Sequence, residues 1–106
     1  MQELIDALEP HAEWIAATAS GQTGACDTTS AGNGKPRAAL AVYGFRNGWA
    51  WCVQGYAGPK GQWVYSEGCC GYATSATAWQ GMRAWLRRHG LIARRAARGE
   101  SVTTKG

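Results

Sequence analysis

The sequence predicts an α+β domain in which an N-terminal helix, a three-stranded antiparallel sheet and a C-terminal helix or helix pair follow one another. Three observations predict it: helical spacing of apolar residues near the N-terminus, a hairpin signal at Asn47-Gly48 between two β-rich runs, and a strongly amphipathic segment after Ser75. The chain has 106 residues, 45% of them hydrophobic, with six Trp. That length suits one domain able to bury a core without metal or disulfides. The predicted domain covers residues 1–98 and leaves 99–106 as a polar tail.

Leu4, Leu8, Ala12, Ile15 and Ala19 recur at helical spacing. Pro10 interrupts them, and proline fits a first helical turn but not an interior. The pattern therefore predicts a helix to about Leu8, a break, and a second helix from Pro10, ended by Ser20-Gly21. Residues 20–36 hold Gly21, Gly24, Gly32 and Gly34 among Ser, Thr and Asn without periodicity, and read as a long loop.

Asn47-Gly48 lies between Arg37–Phe45 and Trp49–Tyr56. A two-residue turn there pairs Arg46 with Trp49, Gly44 with Trp51 and Val42 with Val53. Leu40, Val42, Trp49, Trp51 and Val53 then share a core face, joined by Trp63 and Tyr65 if a third strand, Gln62–Ser66, keeps simple register. Tyr43, Phe45, Cys52, Gln54 and Tyr56 share the other face. Glu67–Thr74 reads as a turn, and Ser75 as the N-cap of the last helix. At 100° per residue, Ala78, Met82, Trp85, Leu86, Ile92, Ala93 and Ala96 fall in one arc, with Trp79 at its edge. Leu91 falls outside that arc, and Gly90 beside it predicts a cap after His89. Trp51, Trp79 and Trp85 are the expected core tryptophans.

Charge is unevenly spread. Residues 1–34 hold five acids and no Lys or Arg, a net of −5. Residues 35–106 hold all 11 bases and two acids, a net of +9. Arg83, Arg87, Arg88, Arg94, Arg95 and Arg98 fall within sixteen residues with no acid among them. Like charges at four-residue spacing repel, whereas guanidinium groups match phosphate oxygens in geometry. The arginines therefore predict a surface for nucleic acid or for an acidic protein. Base stacking on aromatics beside basic groups binds single strands, and Tyr43, Phe45 and Tyr56 near Arg46 and Lys60 form a candidate platform. A single-stranded nucleic acid is the favoured ligand, and an acidic protein surface is the alternative.

No catalytic constellation is visible, so the chain reads as a non-enzymatic binding protein. Gly32-Asn33-Gly34-Lys35-Pro36 lacks the first Gly and the hydroxyl residue of a phosphate-binding loop. Cys26, Cys52, Cys69 and Cys70 include no C-x-x-C pair, so no metal and no cofactor is expected. An acidic N-terminus, no leader pattern and no run of about 18 apolar residues predict a cytoplasmic protein without a membrane segment, its thiols reduced.

The order helix–strand–strand–strand–helix resembles that of double-stranded-RNA-binding domains. That family places lysines at the start of its last helix, where this chain has Ser75-Ala76-Thr77-Ala78, so the family's binding residues are not carried over. In its small size and polarised charge the whole chain also resembles the phage-borne inhibitors called anti-CRISPR proteins. That resemblance implies an inhibitor acting in the host cytoplasm by covering a site on a CRISPR effector or its nucleic acid.

Overall fold

The computed structural model describes residues 2–31, 37–57 and 62–93, with the side chains of 57 and 62–65 excepted. The N-terminal helical region is α1 (Gln2–Leu8), a 3-10 turn (Glu9–His11) and α2 (Ala12–Ala19). Pro10 sits in the 3-10 turn, where its missing N–H costs no helical hydrogen bond. Leu4, Leu8, Ile15 and Ala19 turn into the core, as their spacing predicts, joined by Ile5, which lies off that pattern, while Ala12 is only half-buried.

The sheet has four antiparallel strands, not three, in the order β1 (Cys26–Ala31), β2 (Ala38–Phe45), β3 (Gly48–Ala57) and β4 (Gln62–Tyr72). β1 lies inside the segment expected to be loop. It is an edge strand of small polar residues, and a register shift between Cys26 and Thr29 breaks any alternation of apolar residues. Thr and Ser pair with β2 without leaving a hydrophobic signature.

The β2–β3 hairpin turns one residue earlier than its Asn-Gly signal implies. Arg46-Asn47 form the turn and Gly48 closes it opposite Phe45. Gly48 is needed for its backbone: its φ is +147°, and a Cβ there would stand 2.8 Å from the Tyr72 carbonyl oxygen. The register therefore differs by two residues from the expected one, with Val42 opposite Trp51 and Leu40 opposite Val53. A shift of two keeps every side chain on its face, so the expected core face of these strands survives. Leu40, Val42, Trp51 and Val53 are buried and Trp49 packs against them.

β4 runs through the expected turn at 67–74 as far as Tyr72. Gly68 belongs to the strand: a Cβ there would lie 2.6 Å from the Trp51 carbonyl oxygen. β4 carries an extra residue at Val64 and another at Gly71, where its register against β3 shifts. The first shift separates Trp63, opposite Tyr56, from Tyr65, opposite Gly55, so the simple register expected for this pair does not hold.

α3 spans Ser75–Arg88 and is capped by Thr74, one residue before the expected Ser75. Thr77 N–H donates to Thr74 Oγ1 and Thr74 N–H to Thr77 Oγ1, both at 3.1 Å, a reciprocal capping box. The helix ends as Gly90 predicts. Gly90 has φ +73°, its N–H donates to the Arg87 carbonyl, and Leu91 N–H donates to the Leu86 carbonyl at 2.9 Å. This is a Schellman cap, and its usual apolar contact brings Leu91 into the core beside Leu86. The cap explains why Leu91 falls off the helical arc yet is buried. The expected second helix after Gly90 and the tail 99–106 lie outside the described residues.

Of the described helices, α1 and α3 pack on one face of the sheet, and α2 adds Ile15 and Ala19 to the same core. Leu4 and Ala7 of α1 crowd Gly55, and Trp85 of α3 meets Trp51 with ring centroids 5.9 Å apart. The other face, carrying Tyr43, Phe45, Cys52, Gln54 and Tyr56, has no described helix over it. Among the described residues no helix is long and apolar enough to cross a membrane.

Candidate functional site

α3 uses one stripe of side chains to hold the chain that leaves α2. Ser75, Trp79 and Arg83 are four residues apart and so lie above one another. The Ser75 hydroxyl donates to the Thr23 carbonyl and the Trp79 indole N–H to the Gly24 carbonyl at 2.7 Å. Arg83 Nη1 donates to the carbonyls of Ala19 and Gln22 at 2.9 and 3.1 Å. A guanidinium placed there meets the negative end of the α2 dipole. Arg83 is thus engaged in the fold, and Gln22–Gly24 is tied down rather than loose.

Arg87 and Arg88 behave differently. Arg87 is half-buried and Arg88 exposed, and neither has an ion-pair partner among the described residues. They leave the last turn of α3 about 100° apart around its axis. In the acidic N-terminal helix, Asp6 accepts from Gln2 Nε2 at 2.8 Å. Arg94, Arg95, Arg98 and Lys60 lie outside the described residues.

Tyr43 and Phe45 are 43% and 45% exposed, an unusual pair of solvent-facing rings, with centroids 6.4 Å apart. Exposed Arg46 follows them in the turn. Tyr56 is not part of this group. It stands six residues along β3 from Ala50, the partner of Tyr43, which is about 20 Å of strand, and its hydroxyl donates to Gln54 Oε1 at 3.3 Å. The structure therefore divides the expected site in two. Arg87 and Arg88 sit with the helices on one side of the sheet, and Tyr43 and Phe45 lie on the other with Arg46 at the rim.

A third surface was hidden in the sequence because its residues read as a turn. The exposed stretch of β4 from Ser66 to Gly71 has a shallow groove on each side. One, of about 370 Å³, is lined by Tyr43, Cys52, Gly68 and Cys70 among others. The other, of about 310 Å³, lies between β4 and α3 and includes Glu67, Cys69, Tyr72, Gly81, Trp85 and Arg88. At its floor Trp51 Nε1–H donates to the Tyr72 hydroxyl at 3.0 Å. Burial pushes the Tyr72 phenol above its ordinary value, the Trp51 hydrogen bond opposes this, and the Cys69 thiol adds to the rise. Burial also pushes the Cys52 thiol up, while Cys69 and Cys70 are exposed. Among the described residues no three His, Cys, Asp or Glu side chains are grouped to hold a metal ion.

No family model, curated protein or solved structure matches the chain.

Proposed function

We propose that this protein is a non-enzymatic binding protein that takes a polyanion, nucleic acid in the first place, on the basic surface that begins at Arg87. The observation that carries the reading is that Arg87 and Arg88 project from the end of α3 without a carboxylate partner among the described residues. In sequence they lead directly to Arg94, Arg95 and Arg98. Arginine at a helix C-terminus gains a little from the helix dipole, but that gain is confined to the last turn, which holds Arg87 and Arg88, and does not call for Arg94, Arg95 and Arg98. Tyr43 and Phe45, reached around the rim at Arg46, supply rings on which unpaired bases stack, which favours single strands.

A second reading is the docking of an acidic protein surface. The division of the arginines and the aromatic rings between two sides of the sheet favours it, because a broad partner can take one side alone. A gel-shift series with single- and double-stranded oligonucleotides separates the two readings. The nucleic-acid reading expects single strands to bind more tightly and the logarithm of affinity to fall linearly with the logarithm of salt. Arg87→Glu is expected to weaken binding roughly tenfold and to lower the salt slope by about 1, with the thermal melt preserved. Absence of binding at low salt, or affinity indifferent to salt, overturns it. An R-loop belongs among the test ligands, as the likeness to anti-CRISPR proteins implies.

A further inference from the structure

We propose that β4 is a dimerisation edge, on which two copies of the chain pair antiparallel about Gly68 to make one eight-stranded sheet. The proposal rests on Glu67 and Arg88, two opposite charges without an ion-pair partner among the described residues, lining one groove beside an exposed strand edge. It shares Arg88 with the nucleic-acid reading, which Arg87→Glu tests apart from the dimer.

β4 ends the described sheet, so among the described residues its outer row of N–H and C=O groups has no strand beside it. Ser66, Gly68, Cys69, Cys70 and Gly71 are exposed. Such an edge is a template for another strand unless it is guarded by Lys, Pro or a bulge. β4 contains no Lys and no Pro, and its bulges at Val64 and Gly71 stand outside the regular stretch Tyr65–Cys70. The opposite edge, β1, is interrupted within its own six residues by a register shift and carries Asp27. The unguarded edge is β4.

The charges select the partner. Glu67 and Arg88 line the groove on the helix side, and neither has an ion-pair partner among the described residues. An antiparallel two-fold through Gly68 sets each residue opposite the one whose number completes the same total. Residue 67 then faces 69 of the second copy, and 66 faces 70. Because Cys69 shares its groove with Arg88, the Glu67 carboxylate of one copy is brought to the partner's Arg88, and the reverse holds by symmetry. Two identical contacts of this kind are what an isologous interface requires. Gly68 falls on the axis, where the lack of a side chain lets two backbones approach. A foreign strand would have to supply both signs of charge at matching positions, whereas a second copy does so automatically.

Sedimentation velocity of the full chain over a concentration series tests the proposal. The expected result is a dimer that dissociates on dilution. Arg88→Glu and Glu67→Arg, each placing like charges across the edge, are expected to weaken it by about tenfold or more. The double variant, Glu67→Arg with Arg88→Glu, is expected to restore the dimer. Ser66→Cys adds a covalent readout. With oxidised glutathione, two thiols lose their protons and two electrons and glutathione is reduced, leaving a disulfide from position 66 to the partner's Cys70. The cross-link is expected to disappear when Cys70→Ser is added. Should a variant fail to fold, hydrogen exchange on the wild type decides: amides at Gly68–Cys70 are expected to gain protection as concentration rises. A chain that stays monomeric, a dimer indifferent to both charge reversals, or a cross-link through another cysteine overturns the proposal.

Discussion

At Tyr72 a single hydroxyl ties the strand β4 to Trp51 of β3, and the same ring fills the space against the helix α3. The hydroxyl accepts the Trp51 indole N–H, and the ring lies so close to α3 that only glycine fits opposite. A Cβ at Gly81 would stand 2.2 Å from the Tyr72 hydroxyl oxygen, 2.6 Å from Cζ and 2.9 Å from Cε1. In an exposed helix Gly→Ala stabilises by about 1 kcal/mol, so propensity alone predicts a gain. Here the ring must swing away and the Trp51 hydrogen bond must break. Gly81→Ala is therefore expected to destabilise by about 1–3 kcal/mol in urea denaturation. A variant as stable as the wild type would show that the ring is not held against the helix. The sequence shows a glycine inside a helical pattern, but the residue that needs it is nine positions away on a strand that reads as a turn.

At the scale of elements, α3 was the most legible and also the most informative about what sequence leaves out. Its apolar arc correctly placed Trp79, Met82, Trp85 and Leu86 in the core, and Gly90 correctly marked its end. Its arginines looked equivalent in sequence because they share a charge, yet they divide by position. Arg83 follows Trp79 by one helical turn, at the border of the apolar arc, and that position was the available signal that it faces protein. The carbonyls it bonds belong to α2 and the turn after it, 61 and 64 residues away, and no local pattern reveals such a pairing. Arg83→Ala is expected to cost about 1.5–3 kcal/mol, since the carbonyls of Ala19 and Gln22 lose a charged donor. Arg87→Ala, by contrast, is expected to change stability by no more than about 0.5 kcal/mol. Thermal melts of the two variants check the contrast. Equal melting temperatures would remove Arg83 from the set of contacts joining α2 to α3.

Across the whole molecule, the two faces of the central hairpin were legible although its register was not. The period of a strand is two, and the register differed by two, so Leu40, Val42, Trp51 and Val53 reached the core by either pairing. The two outer strands were less legible for physical reasons. β1 is made mostly of small polar residues, and in β4 Gly68 serves a close backbone contact and Gly71 a bulge with positive φ, while both resemble turn residues in sequence. With the described helices on one side, the remaining face presents Tyr43 and Phe45 to solvent, each exposed over more than two-fifths of its surface. Rings that contribute to the fold lose stability when truncated, and buried aromatics lose about 3–5 kcal/mol on truncation to Ala. Tyr43→Ser and Phe45→Ser are expected to change stability far less, by about 0.5–1 kcal/mol at most. If these rings stack on bases, the same variants are expected to weaken single-strand binding by about 1–3 kcal/mol per base, leaving duplex binding nearly unchanged. Paired urea denaturation and gel-shift measurements check both halves. Large destabilisation would mean that the rings are structural, and an equal loss on single and double strands would separate them from base recognition and leave the arginines as the sole anion-binding surface.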